Sequence, residues 1–360
     1  MKKDTQIIAF YLPQFHSIPE NDKWWGEGFT EWTNTTKAKR LFPKHHQPRT
    51  PLNNNFYNLL EPETLRWQAS LAKNYGVSGF CFYHYWFNGK LLLEKPAELL
   101  LSNPDIDMPF SFCWANEPWT RAWTGGDKDV LIEQNYGSYD EWDAHLEYLM
   151  PFFLDPRYTK LESKPIFTVY STSTIPNCDI MLEYMNKQAI EKYGLKGIYF
   201  IEMMNTYQNR PCSNETSAVI EFEPMNTIRW EKSVFNRGVG SILKLFFPKS
   251  KPNLLSYDSI WRKIIDKKPR GDKKTFPGAF IDWDNSARKA NNATILLGGS
   301  VRKFSKYFDI KLSKARNEYE AEYIFINAWN EWAEGTYLEP DDKNHLSVLE
   351  AINSIVKNKK

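Results

Sequence analysis

Two glutamates three residues apart, Glu331 and Glu334, form the sharpest chemical pattern in this chain of 360 residues. If they open a helix or a tight turn, i and i+3 side chains share a face, with Cβ atoms about 5–6 Å apart. Cleavage of a glycosidic bond with retention uses two carboxyl groups about 5–5.5 Å apart. Close carboxylates also push their titrations apart, so one can keep a proton as acid while the other acts as base. A bare E-x-x-E occurs on many solvated helices. Here Trp329, Asn330, Trp332, Gly335 and Thr336 surround it, which is unlike a solvated face.

Such a pair needs a scaffold whose elements end at one place. Eight short apolar, β-branched and aromatic runs supply one: residues 6–12, 77–87, 109–116, 165–171, 197–203, 218–222, 278–283 and 323–329. Each has the composition of a buried strand. Helical patterns lie between them. Residues 62–72 set Leu65, Ala69 and Ala72 on one face, with Pro62 suited to a first turn. Residues 140–150 and 179–193 read similarly, and Gly194 is placed to stop the latter. The alternation predicts an α/β fold, a (β/α)8 TIM barrel with long βα loops, as one catalytic domain over residues 1–360. A doubly wound open sheet is the alternative. No G-x-G-x-x-G follows the first strand and no G-x-x-x-x-G-K-[ST] occurs, so nucleotide-binding forms of that sheet lose support.

In a barrel, chemistry gathers at the C-terminal ends of the strands. The first run leads into Tyr11, Gln14 and His16, and the second closes on His84 and Tyr85. The third leads into Trp114, Asn116, Glu117 and Trp119, the seventh into Asp282 and Trp283, and the eighth into Asn330 and Trp332. Rings beside carboxylates and amides suit a saccharide, whose C–H faces stack on flat surfaces while its hydroxyls take polar partners. These residues, with Trp32 in the long first loop, are the expected substrate contacts. Plainer readings stand beside some of them. A satisfied core histidine fits His84 as well as a sugar contact does. Glu117 is a rival catalytic carboxylate and otherwise a hydroxyl binder. Glu31, Trp24 and Trp32 fit either a stacking platform or loop packing. His16, His45 and His46 lack the spacing of a metal site, so no metal and no cofactor is expected.

Aromatic residues make up 16% of the chain, with 14 Trp, 19 Tyr and 23 Phe, and 42% of residues are hydrophobic. A chain of this length buries a sizeable core without staples. The 46 Lys and Arg nearly balance 44 Asp and Glu, which argues against nucleic acid as a partner. Cys81, Cys113, Cys178 and Cys212 form no C-x-x-C pair, and Cys81 and Cys113 read as buried hydrophobes. No apolar run approaches the roughly 18 residues of a membrane-spanning helix. The apolar stretch Ile7-Ile8-Ala9-Phe10 is too short for a signal peptide, so a cytoplasmic protein with reduced thiols is expected. Charge is uneven. Residues 229–274, between the sixth and seventh strands, hold 13 Lys and Arg against 4 Asp and Glu. This basic insertion reads as a solvated loop. Through the apolar residues 241–247 it also reads as a peripheral contact with the anionic inner face of a membrane, where basic clusters gain about 1 kcal/mol per charge.

Several blocks together resemble a known family. They are Phe10-Tyr11-Leu12-Pro13-Gln14-Phe15-His16, Trp24-Trp25-Gly26-Glu27-Gly28-Phe29-Thr30-Glu31-Trp32, Phe82-Tyr83-His84-Tyr85-Trp86-Phe87, Trp114-Ala115-Asn116-Glu117-Pro118-Trp119 and residues 327–339. They resemble the WbsX-like family of bacterial surface-polysaccharide biosynthesis proteins, commonly called glycosyltransferases. Its fold resembles that of glycoside hydrolase family 99, the endo-α-mannosidases. Those hydrolases carry a similar N-E-W-x-E-G-T segment with their two catalytic carboxylates. The resemblance implies that Glu331 draws the proton from a substrate 2-hydroxyl, whose oxygen then closes a 1,2-anhydro sugar. It implies that Glu334 is the general acid, then the base for the incoming water or acceptor. Ala333 departs from the His of the hydrolases, which leaves the sugar open.

Three functions compete. A retaining glycosidase or transglycosidase needs no nucleotide site. A sugar-nucleotide-dependent glycosyltransferase would use a D-x-D, and Asp282-Trp283-Asp284 is one of several such patterns. A non-catalytic saccharide-binding barrel would not require two adjacent carboxylates. The first is expected, acting on an oligosaccharide or a lipid-linked polysaccharide precursor of O-antigen or capsule type.

Overall fold

The computed structural model describes residues 4–120, 129–231 and 252–358. All eight expected runs form strands: β1 (Gln6–Tyr11), β2 (Gly79–Phe87), β3 (Phe110–Trp114), β4 (Lys164–Val169), β5 (Tyr199–Met204), β6 (Ala218–Glu221), β7 (in two pieces, Lys274–Phe276 and Gly278–Phe280) and β8 (Tyr323–Asn327). They pair in parallel in chain order from β1 to β6, and β1 also pairs with β8, Gln6 lying opposite Tyr323. The two pieces of β7 bring the ring round. The first pairs with β6, Ala218 opposite Lys274, and the second pairs with β8, Gly278 opposite Phe325. Pro277 between them has no N–H to give, and its carbonyl accepts from Phe325. The architecture is the expected (β/α)8 barrel.

Packing fills the ring. Phe10 stacks on Tyr83 with centroids 5.8 Å apart and meets Phe222 and Phe325 at 5.3 and 5.6 Å. Successive side chains of a strand face opposite ways. Tyr11 therefore points outward, and its hydroxyl donates to Gln68 of the helix Pro62–Asn74 at 2.6 Å. The other two expected helices run Tyr139–Leu154 and Cys178–Glu191. Ser138 and Glu141 form a capping box on the first of these. Gly194, with φ +69°, ends the turn beyond the second by donating to the Ile190 carbonyl.

The basic stretch is not uniformly solvated. Residues 232–251, including the apolar 241–247, lie outside the described residues. Beyond them the helix Tyr257–Asp266 buries Tyr257, Ile260, Trp261 and Ile264. Trp261 stacks on Phe280 of β7 at 4.9 Å. The spacing of those four residues is that of a core-facing helix, which the charge count alone conceals. Among the described residues no helix is long and apolar enough to cross a membrane.

Ring closure leaves no space beside β7. A Cβ at Gly278 would lie 1.8 Å from the Glu221 carbonyl oxygen. Gly278→Ala must therefore push β6 and β7 apart, at a cost of about 3 kcal/mol or more. Urea unfolding should show the loss as a lower midpoint at unchanged slope; an unchanged midpoint would mean that the ring is open there.

Candidate active site

β8 leads into a single 3₁₀ turn, Trp332–Glu334. Glu331 caps the turn and Glu334 closes it, so the tight turn keeps the two carboxylates close. Gly335 ends the turn at φ +65°. A Cβ there would lie 2.9 Å from the Arg49 guanidinium and 3.0 Å from the Asp284 Cβ, so both backbone and space call for glycine.

One guanidinium binds the pair. Arg288 Nη2 donates to Glu331 at 3.0 Å and Nη1 donates to Glu334 at 2.8 Å. Its Nε donates to a third carboxylate, Glu31, at 2.9 Å. Arg288 lies in the short helix Ser286–Lys289 beyond β7, and Glu31 opens the helix Glu31–Lys37 beyond β1. Arg288, Glu31 and Glu331 are buried, while the Glu334 side chain is 22% exposed. Loops after β1, β7 and β8 thus converge on one point at the C-terminal end of the barrel.

A second set of contacts braces those loops. The Asp284 N–H donates to the Glu334 carbonyl at 2.8 Å. The Asp284 carboxylate accepts from Gln47 at 2.9 Å and meets His45 Nε2 at 2.8 Å. Arg49 donates to the Gly335 carbonyl at 3.0 Å and to Asp282 at 2.9 Å. Burial opposes the charge on Asp284, but the His45 bond and Arg49 hold it well below the usual carboxylate range.

Burial pushes both Glu331 and Glu334 above the usual carboxylate range, against the pull of Arg288. The charges of Glu334 and Glu31 add to the rise at Glu331, and that of Glu31 adds to the rise at Glu334. One cation cannot neutralise three crowded anions, two of them buried, so the cluster favours retaining a proton. Burial likewise raises the phenols of Tyr83 and Tyr85 on β2, and the charge of Glu331 adds to both. Glu117, beyond β3, is pushed up to about 7 by burial and is hydrogen-bonded by Tyr207. Tyr170 lies in the field of both Glu117 and Glu334. Three carboxylates, one guanidinium and several buried phenols meet here.

The structure places the other expected residues unevenly. Trp119 packs edge-on against Tyr85 at 5.4 Å, and Gln14 and His16 are buried in the first loop. Burial pulls His16 down to about 4. His84 and Trp114 sit opposite each other on the outer face of the sheet. His84 meets His145 at 2.9 Å, and Trp114 lies edge-on to that same ring. Their alternation with Tyr83 and Tyr85 sends them to the helix layer, so they are not brought to the carboxylate pair; nor is Tyr11. Asn116 spends its amide on the Ser171 backbone, and Asn330 spends its own on Leu12. Trp32 and Trp332 face each other at 5.4 Å in a buried cluster, and Trp283 is buried. Asp282 and Asp284 point to one side, as alternation requires, and both meet Arg49. Sequence reasoning missed Arg288, which sits in no motif. Glu31 carried a signal: Glu31-Trp32 repeats the dipeptide Glu331-Trp332.

Two outcomes follow from this electrostatics. Arg288→Met strands Glu31 without a cation and should cost about 3–5 kcal/mol in urea unfolding; a loss below about 1 kcal/mol would show that Arg288 does not hold the cluster. Glu117 favours the fold when protonated. Its contribution is whole below about pH 4.5 and is lost as pH rises through about 7. Unfolding midpoints should fall across that window, and less steeply in Glu117→Gln; parallel curves would reject the assignment.

Comparison with known proteins is consistent with this geometry. The chain is 35% identical over 350 residues to "Uncharacterized protein WxcX" from two strains of Xanthomonas campestris pv. campestris, covering 96% of this chain and 48% of each relative. It therefore spans about half the length of those relatives. Among solved structures, a glycoside hydrolase-like protein superposes with a TM-score of 0.61 at 12% identity, over 98% of this chain and 94% of that one. The GH99 endo-α-mannosidase from Bacteroides thetaiotaomicron superposes with a TM-score of 0.56 at 16% identity, over 99% of this chain and 98% of that one. At such identities the likeness is one of fold. The family model described as "Glycosyltransferase WbsX" matches residues 7–352, and the chain belongs to that family.

Proposed function

We propose that this chain cleaves or transfers glycosidic bonds with retention, using Glu331 and Glu334, in the biosynthesis of a surface polysaccharide. The carboxylate pair held on one guanidinium carries the reading. Glu331 takes the proton of the substrate 2-hydroxyl, and that oxygen attacks the anomeric carbon. The bond to the leaving oxygen breaks as Glu334 protonates it, which leaves a 1,2-anhydro sugar. Water or an acceptor hydroxyl then gives its proton to Glu334 and opens the ring, and O2 recovers its proton from Glu331. Glu331 is more deeply buried than Glu334, so the empty site favours the proton there. A sugar hydroxyl donating to Glu331 favours its ionised form and leaves the proton to Glu334. The greater exposure of Glu334 suits the group that must meet both leaving group and acceptor.

Sugar-nucleotide transfer is less well supported. Asp282 and Asp284 of the D-x-D are already engaged by Arg49, His45 and Gln47. The family name is met equally by transfer from one glycoside to another. The substrate is an oligosaccharide or a lipid-linked polysaccharide precursor, handled at the cytoplasmic face of a membrane. The basic stretch 229–274 would hold the enzyme to anionic lipid there.

Activity on panels of α-mannosides and other oligosaccharides should need no sugar nucleotide. It should fall by about 10² or more in both Glu331→Gln and Glu334→Gln. Substrates lacking the 2-hydroxyl should not turn over. Unchanged activity in both variants would sink the assignment. Pelleting with anionic liposomes at low salt checks the membrane contact, and its absence would remove it.

A further inference from the structure

Glu339 is buried beyond the turn that carries the glutamate pair, and the proposed chemistry does not use it. Its carboxylate accepts from Trp332 Nε1 at 2.7 Å, from the Tyr57 hydroxyl at 2.8 Å and from Gln68 Nε2 at 2.7 Å. The Gln68 side-chain carbonyl is taken by the Tyr11 hydroxyl at 2.6 Å, which turns the Gln68 N–H toward Glu339. None of these partners is charged. Burial pushes Glu339 up to about 7, while its hydrogen bonds pull the other way. A buried carboxylate without a cation is costly, and a leucine or methionine would fill the space without that cost. What the carboxylate supplies, and an apolar side chain lacks, is a fixed acceptor.

Trp332 uses that acceptor. It lies between Glu331 and Glu334 in a 3₁₀ turn closed by the Gly335 N–H on the Trp332 carbonyl at 3.0 Å. Hydrogen-bond geometry in a 3₁₀ turn is poor, so one turn alone is a weak frame for two carboxylates. Side chains reinforce it. The carboxylates turn to Arg288, and the indole turns to Glu339. The indole also stacks on Tyr337 at 3.9 Å and meets Trp32 at 5.4 Å. Stacking sets the plane of a ring but permits sliding within it, and a directed N–H bond removes that freedom. Glu339 is anchored in turn to the first loop by Tyr57 and to the helix Pro62–Asn74 by Gln68. We infer that Glu339 is a positioning residue: through the Trp332 indole it fixes the turn that bears Glu331 and Glu334. Its effect on rate rests on the proposed glycosidic chemistry, while its effect on geometry does not.

Trp332→Phe and Glu339→Gln, singly and together, test this. Trp332→Phe keeps a stacked ring and the Glu339 charge and removes the N–H. Glu339→Gln keeps the shape and sets an amide against the donors. On an α-manno- or α-gluco-oligosaccharide that the parent protein cleaves, kcat should fall about tenfold or more in each, with KM changed less than about twofold. The double variant should be no slower than the slower single one. Losses that multiply in the double variant would overturn the role. So would unchanged kcat with a lower urea midpoint, the signature of a merely structural glutamate. A second measurement needs no turnover. Carboxyl carbon NMR of glutamate-labelled protein follows the titrations of Glu331 and Glu334, which burial holds above the usual range. Both single variants should move them toward that range, because a loosened turn admits water. A shift in Glu339→Gln alone would mark the loss of a nearby charge and not a change of position, and would overturn the role, as would no shift in either. Trp332→Phe carries the test if Glu339→Gln does not fold. Shifted titrations in a protein whose parent cleaves no probe would reject the glycosidic reading and keep the positioning role.

Discussion

The site depends on the Arg288 guanidinium, which is held away from water by three carboxylates from two separate loops. Such a cation is expensive to desolvate, and only several close partners repay the cost. Arg288 uses its fork for that purpose, with one N–H to each of Glu31, Glu331 and Glu334. The same bonds fix the two carboxyls that would do the chemistry. They also set the proton count, because three anions facing one cation cannot all stay ionised at low cost. Position and protonation thus have one cause. The aromatic cluster of Trp32, Trp332 and Tyr337 backs this arrangement and excludes water from it, with Trp332 stacked on Tyr337 at 3.9 Å.

Much of the barrel was legible because buried parallel strands read as continuous apolar runs, and all eight stood out between helical patterns. The Glu331–Glu334 pair was legible because its aromatic setting contradicted a solvated helix. Strand-end residues were harder. Composition alone could not say which of Tyr83, His84, Tyr85 and Trp86 face inward, since the whole run is buried. The register of β2 against β3 decides it, and register is a property of the assembled sheet. Asn116 and Asn330 looked like sugar contacts, yet long-range backbone partners at Ser171 and Leu12 claim them. Arg288 was invisible because its partners come from positions 31, 331 and 334, and no local spacing encodes that meeting. The paired Glu-Trp dipeptides at 31 and 331 were the one trace of it.

Two names meet in this chain. Its family is called glycosyltransferase, and its fold is shared with glycoside hydrolases. The proposed chemistry would reconcile them, because one pair of carboxyls could pass an activated sugar to water or to another hydroxyl. The outcome then depends on what occupies the acceptor side of Glu334. The relatives are about twice as long, so in them a barrel of this kind is joined to a further portion of chain.

Arg49 ties the carbonyl of Gly335 to the two aspartates beyond β7, while Asp284 is tied back to Gln47 and His45 beyond β1. Three of the eight rim loops, those after β1, β7 and β8, are thereby cross-linked into one block. Among the described residues the loops after β2 to β6 meet that block through fewer polar ties, such as the Lys90–Glu20 ion pair at 2.7 Å. A lineage could remodel those loops for a new glycan without disturbing the acid and the base. On the proposed function, the rim is divided into a part that would perform the reaction and a part free to change its customer.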